Sequence, residues 1–133
     1  MITDNNQTIK VAGKEFRLYI SAAEIRNIIS LLAKRISDDL RDENPLFLAV
    51  LNGSFIFAAD LMRELDFDAE ISFVKMASYA GTQSTGRVNN LIGLNETIEG
   101  RTVVVIEDII DTGISMEAML RQLENYNPKN IHL

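Results

Sequence analysis

The chain has no cysteine, a single histidine and two prolines in 133 residues. Without cysteine it forms no disulfide, holds no metal through thiolate and runs no thiolate chemistry, and it fits a reducing compartment. His132 stands alone near the end and is assigned no role. No apolar run approaches the roughly 20 residues of a membrane span, and the polar start, Met1 to Lys10, lacks a signal peptide's apolar core. The expected location is therefore the cytoplasm, with no membrane partner. Positive charge is also scarce: 13 Lys and Arg face 19 Asp and Glu, a net charge of −6. The basic residues are scattered rather than clustered, so no nucleic-acid partner is expected. Neither G-x-x-x-x-G-K-[ST] nor G-x-G-x-x-G occurs, which removes the ATPase and dinucleotide-binding readings.

What is present is a 47% hydrophobic composition with no repeat or low-complexity tract, which predicts one globular domain over 1–133. Its most telling segment is Val103-Val104-Val105-Ile106-Glu107-Asp108-Ile109-Ile110-Asp111-Thr112-Gly113-Ile114-Ser115. Four β-branched residues in a row predict a strand buried on both faces, and ligands in open α/β sheets bind beyond the carboxyl ends of such strands. Behind the carboxylates, Thr112, Gly113 and Ser115 lead into apolar residues at helical spacing, Met116, Met119, Leu120, Leu123 and Tyr126. A loop entering a helix presents free N–H groups and the positive end of the dipole, and Gly113 is free to take φ > 0. The pattern fits a monophosphate. Any one of Glu107, Asp108 and Asp111 alone reads as a solvated strand end, but three within five residues concentrate charge that a plain fold disperses. An acidic protein that binds phosphates calls for a cation.

The rest of the chain alternates strands and helices. Phe16 to Ile20 predicts a short strand, and Ser21 with Glu24 forms a capping box opening a helix whose expected buried stripe is Ile25, Ile28, Ile29, Leu32, Ile36 and Leu40. After Asn44-Pro45, Leu46 to Leu51 reads as a strand, Asn52-Gly53-Ser54 as a turn, and the following residues to about Leu65 as a helix. Ile71 to Met76 is a further strand, Ser78 to Asn90 a polar loop, and Ile131 to Leu133 the start of one more strand after Asn127-Pro128. The fold class is α/β: a mainly parallel twisted sheet flanked by helices on both sides. The loops after Leu51, Ala77 and Ile106 then gather at one sheet edge. Asn52-Gly53-Ser54 suits pyrophosphate oxygens, although the same residues also make a plain strand-helix turn. Ser78 to Arg87 has the composition of a water-excluding lid, the alternative being an ordinary surface loop.

The segment Glu107 to Ser115 resembles the signature of the type I phosphoribosyltransferases. Together with Leu51-Asn52-Gly53-Ser54-Phe55, Ser78-Tyr79 with Ser84-Thr85, and Tyr126-Asn127-Pro128-Lys129, it is similar to the hypoxanthine-guanine phosphoribosyltransferases of purine salvage. The resemblance spans nearly the whole chain in order. It implies a Rossmann-like sheet and transfer of a 5-phosphoribosyl group from phosphoribosyl pyrophosphate to hypoxanthine or guanine, giving IMP or GMP, with Mg²⁺ as the cofactor. It further implies that Glu107 and Asp108 serve the ribose hydroxyls and metal. Asp111 is the implied acid-base catalyst near N7 of the purine, and Asp111, Thr112, Gly113, Ile114 and Ser115 hold the 5'-phosphate. Asn52 and Gly53 belong to the pyrophosphate loop, and Ser78 and Tyr79 to the lid. The family is usually dimeric or tetrameric, so a homo-oligomer is expected.

Two departures accompany the match. Asn52 stands where many relatives carry Lys or Arg beside the pyrophosphate. The sequence also stops before the family's C-terminal strands, so the resemblance implies a domain truncated at its C-terminus, without the lysine, aromatic and aspartate that complete the base pocket. Two other classes compete. A non-catalytic phosphoribosyl pyrophosphate-binding regulator keeps the cradle, yet has less need of Asp111, Ser78 and Tyr79. A receiver-type signalling domain is also small, acidic and Mg²⁺-binding, but needs a central strand-end aspartate that Leu51-Asn52 does not supply.

Overall fold

The structure, a computed structural model, describes residues 8–80 and 87–133. Its centre is a five-stranded sheet in the order β5-β4-β3-β6-β7, formed by β3 (Leu46–Val50), β4 (Glu70–Ala80), β5 (Arg87–Ile92), β6 (Thr102–Ile106) and β7 (Asn130–His132). β3, β4, β6 and β7 run parallel and β5 is antiparallel to β4. β3 and β6 are neighbours in register, Leu46 beside Val103 and Ala49 beside Ile106. All five residues of each are buried, as continuous apolar strands covered on both faces must be.

The two-residue side-chain period sorts these strands into two cores. Leu46, Leu48, Val50, Val103 and Val105 pack with Met116, Met119 and Leu123 of α3 (Ile114–Glu124). Phe47, Ala49, Val104 and Ile106 face the other way, onto Ile29 and Ala33 of α1 (Ala22–Leu40) and Ala58 and Leu61 of α2 (Phe55–Glu64). The chain thus leaves β3 towards one face through α2 and leaves β6 towards the opposite face through α3. Adjacent strands whose connections diverge in this way open a crevice at their carboxyl ends, the switch point of an open α/β sheet.

Three expectations need correction. The predicted α1 stripe is wider than the strip that the helix buries. Ile29, Ala33, Ser37 and Leu40 are buried, whereas Ile25, Ile28 and Leu32 are exposed, Ile28 by 59%. Small Ala33 and Ser37 let the helix sit close to its neighbours along one narrow line. The N-terminal strand lies earlier than expected: β1 (Thr8–Val11) and β2 (Lys14–Arg17) form an antiparallel hairpin turned by Ala12 and Gly13, both at positive φ. Such a turn usually advertises itself as Asn-Gly, and Ala-Gly does not. Finally, the polar stretch from Ser78 to Asn90 is not one loop, because β4 extends to Ala80 and β5 begins at Arg87. β5 is an edge strand, where polar residues are tolerated and apolar alternation is not required.

Candidate active site

The loops that follow β3 and β6 meet at the switch point. Leu51 still donates its N–H to Val74 O at 2.8 Å, and the Leu51–Asn52 peptide is cis. The turn then closes through Ser54, fully buried, whose hydroxyl donates to Val50 O at 2.6 Å. Gly53 sits in this turn against the carboxylate of Asp108. Asn52 and Gly53 are exposed at the same strand ends.

After β6, Glu107 is partly buried, and Asp108 and Asp111 are exposed. Glu107 Oε1 accepts the N–H of Asp108 at 3.0 Å. Loss of hydration raises the Glu107 carboxyl above its ordinary value, and the neighbouring Asp108 raises it further. Among the described residues none of Glu107, Asp108 and Asp111 takes part in an ion pair. At the opposite end of the sheet Glu43 pairs with Lys129 and accepts from Thr102, and Arg101 reaches Glu70 at 2.8 Å. Among the described residues the sheet therefore neutralises acids at its structural end and supplies no ion-pair partner to those at the crevice.

Gly113 takes φ +80° and serves as the N-cap of α3 with no side-chain hydrogen bond. The only described side-chain bond there is long, Ile114 N–H to Thr112 Oγ1 at 3.5 Å. The first turn of α3 consequently keeps its N–H donors available beside a cavity of about 250 Å³. Glu107, Asp111, Thr112, Gly113 and Ser115 line the cavity, with Val50, Leu51 and Met76 from the neighbouring strands and Met116 and Met119 from α3. Asn52, Asp108 and Ile114 do not line it. Gly53 and Asp108 instead border a further, apolar hollow beneath α1 and α2, which Glu107 also lines. Met76 and Met119 were not anticipated as lining residues; their polarity and spacing read only as core. Ser78 and Tyr79 fall at the end of β4, where only the backbone is described, and Ser84 and Thr85 lie outside the described residues.

Comparison with known proteins identifies the family. The model of the phosphoribosyl transferase domain matches residues 17–133. The chain belongs to that family. The chain is 37% identical over 115 residues to the hypoxanthine-guanine-xanthine phosphoribosyltransferase of Tritrichomonas foetus, covering 86% of the chain and 63% of the relative. It is 40% identical over 100 residues to a hypoxanthine-guanine phosphoribosyltransferase of Streptococcus pyogenes, with 74% and 55% covered. A solved hypoxanthine-guanine phosphoribosyltransferase from Bacillus anthracis superposes with a TM-score of 0.73 at 33% identity, over 84% of this chain and 65% of that one. The expected type I phosphoribosyltransferase fold is thus the observed one. The chain spans less than two thirds of the length of each of these three relatives.

Proposed function

We propose that the chain serves purine salvage as one phosphoribosyltransferase domain, moving the 5-phosphoribosyl group of phosphoribosyl pyrophosphate onto hypoxanthine or guanine. The observation that carries this reading is the meeting, at one switch point, of a helix entry without a side-chain cap and carboxylates that have no ion-pair partner among the described residues. Thr112, Gly113, Ser115 and the first N–H groups of α3, among them that of Ile114, receive the 5'-phosphate. Glu107 and Asp108 hold the ribose hydroxyls, and the backbone of Asn52 and Gly53 faces the pyrophosphate. Ser78 and Tyr79 belong to the lid that keeps water from the reacting centre.

In the transfer, N9 of the base forms a bond to C1' as the bond from C1' to the pyrophosphate oxygen breaks, its electron pair leaving with pyrophosphate. Asp111 takes the proton released from N7 as N9 becomes nucleophilic. The carboxylates of Glu107 and Asp108 favour the positive charge that builds on the sugar, and the backbone N–H groups favour the charge of the leaving group. Mg²⁺ fits this donor set. Two adjacent oxygen ligands without a cation match an ion that takes one or two carboxylates and its remaining ligands from water and phosphate. When bound, the ion supplies positive charge against the pyrophosphate.

The exposed apolar residues Ile25, Ile28 and Leu31 of α1 support a homo-oligomer, dimeric or tetrameric, and a cytoplasmic location suits a chain without cysteine. Among the described residues no helix is long and apolar enough to cross a membrane. The test is calorimetric titration with phosphoribosyl pyrophosphate and Mg²⁺, followed by hypoxanthine and an assay for IMP. Saturable binding is expected, and IMP formation establishes transfer; no binding by a folded sample removes the phosphoribosyl reading.

A further inference from the structure

Gly53 meets the Asp108 carboxylate so closely that a β-carbon built on it stands 2.3 and 2.5 Å from the two carboxylate oxygens and 2.6 Å from the carboxyl carbon. Real β-carbons do not approach other atoms at these distances. The backbone at Gly53 gives no separate reason for glycine. Gly13, Gly93, Gly100 and Gly113 have positive φ and Gly53 does not, so no left-handed conformation calls for glycine there. What glycine supplies at position 53 is room. Asp108 is exposed and its carboxylate ends a short side chain. A methyl group at position 53 therefore turns Asp108 into another rotamer rather than unfolding the chain. The two residues belong to different loops, one after β3 and one after β6, and at this contact the loops meet.

We propose that Gly53 is a positioning residue for Asp108: its missing side chain leaves the slot that seats the carboxylate, and so registers the loop after β3 on the acidic pair after β6. The proposal rests on the phosphoribosyl reading for what the seated carboxylate does, since a ribose diol and a pyrophosphate on one substrate must be met at a fixed separation. Where the carboxylate sits is independent of that reading.

The test uses the full chain as Gly53→Ala, Asp108→Ala and the double variant. In the ligand-free protein, three-bond NMR couplings about χ1 of Asp108 report its rotamer. They are expected to change in Gly53→Ala, and unchanged couplings overturn the proposal whatever the chain binds. With Mg²⁺ and phosphoribosyl pyrophosphate, Gly53→Ala is expected to lower affinity roughly tenfold, the scale of a hydrogen bond to a charged group. In the Asp108→Ala background the same substitution is expected to cost nothing more, because the group it displaces is gone. An equal loss in both backgrounds assigns the effect to the β3 loop itself and overturns the proposal. If Gly53→Ala does not fold, recovery of folding in the double variant reports the same collision, and no recovery refutes it. A parent chain that binds no phosphoribosyl pyrophosphate removes the function proposed above, while the couplings still decide the position of Asp108.

Discussion

Helices α1 and α3 begin in opposite ways. α1 closes its own end: Ser21 Oγ accepts the N–H of Glu24 at 3.1 Å, and Glu24 Oε2 accepts the N–H of Ser21 at 2.7 Å. That carboxylate lies below its ordinary value because the Ser21 hydroxyl and backbone N–H both bond to its charged form. α3 begins at Gly113, which has no side chain to offer, and a β-carbon there would meet nothing within 4 Å. The two ends carry the same partial positive charge and the same free donors. One satisfies them from its own sequence, and the other holds them open next to a cavity. A helix end completed locally is a device of folding, whereas the one left without a side-chain cap is the end that the phosphoribosyl proposal assigns to the 5'-phosphate.

The largest effect expected at the open end is chemical. In a version of the chain that carries the family's C-terminal region, Asp111→Asn keeps the shape of the side chain and removes the proposed base, so turnover to IMP is expected to fall by about two to four orders of magnitude, the usual share of a general acid-base group. Affinity for phosphoribosyl pyrophosphate should hold to within a few-fold. Measuring the initial rate beside the binding isotherm checks both, and unchanged turnover takes Asp111 out of the mechanism.

Next in size is a matched pair of substitutions at the two helix starts. Ser21→Ala removes the cap, and a urea titration is expected to show a loss of about 1 kcal/mol with phosphate binding unchanged. Gly113→Ala puts a side chain at φ +80° and is expected to cost about 1 kcal/mol through the backbone alone, since the added carbon touches nothing. The two variants should therefore look alike in unfolding and differ in titration with inorganic phosphate, which only Gly113→Ala weakens. Equal phosphate affinity in both would mean that the start of α3 is as closed as that of α1.

This difference between helix ends was partly legible in the sequence. Ser21 with Glu24 is a local pattern, and a three-residue hydrogen-bond cycle needs nothing from the rest of the fold, so its reading held. Val103 to Ile106 was equally plain, because a run without polar residues has only a two-sided burial to satisfy. The positive φ expected of Gly113 followed from its place between strand and helix. The α1 stripe failed because periodicity says which residues share a face, not how much of that face a neighbour covers. The β4–β5 hairpin was hidden by polar composition at a sheet edge, and the Ala12-Gly13 turn lacks the usual turn residues. The contact of Gly53 with Asp108 joins residues 55 positions apart in the sequence. It depends on β3 and β6 being neighbours, a matter of strand order that no local pattern encodes.

The smallest effect separates two carboxylates by the sign of their pH dependence. Glu24 is held below 4.5, so its contribution is fully present above that value and is lost as the pH falls through the folded-state value. Glu107 is raised above 4.5 by burial and then by Asp108, so the folded state holds this proton more tightly than the unfolded chain. Stability consequently declines as the pH rises from 4.5 through the folded-state value, and the penalty persists at neutral pH. Glu107→Gln should remove that decline and make the protein more stable near neutrality, by no more than about 0.5 kcal/mol, while weakening its response to Mg²⁺ with phosphoribosyl pyrophosphate. Unfolding midpoints followed across the acid-to-neutral range check the sign. A neutral-pH loss of stability in Glu107→Gln would mean that the charge is already compensated within the fold, and the contrast between a carboxylate that serves the helix and one that waits for a cation would then disappear.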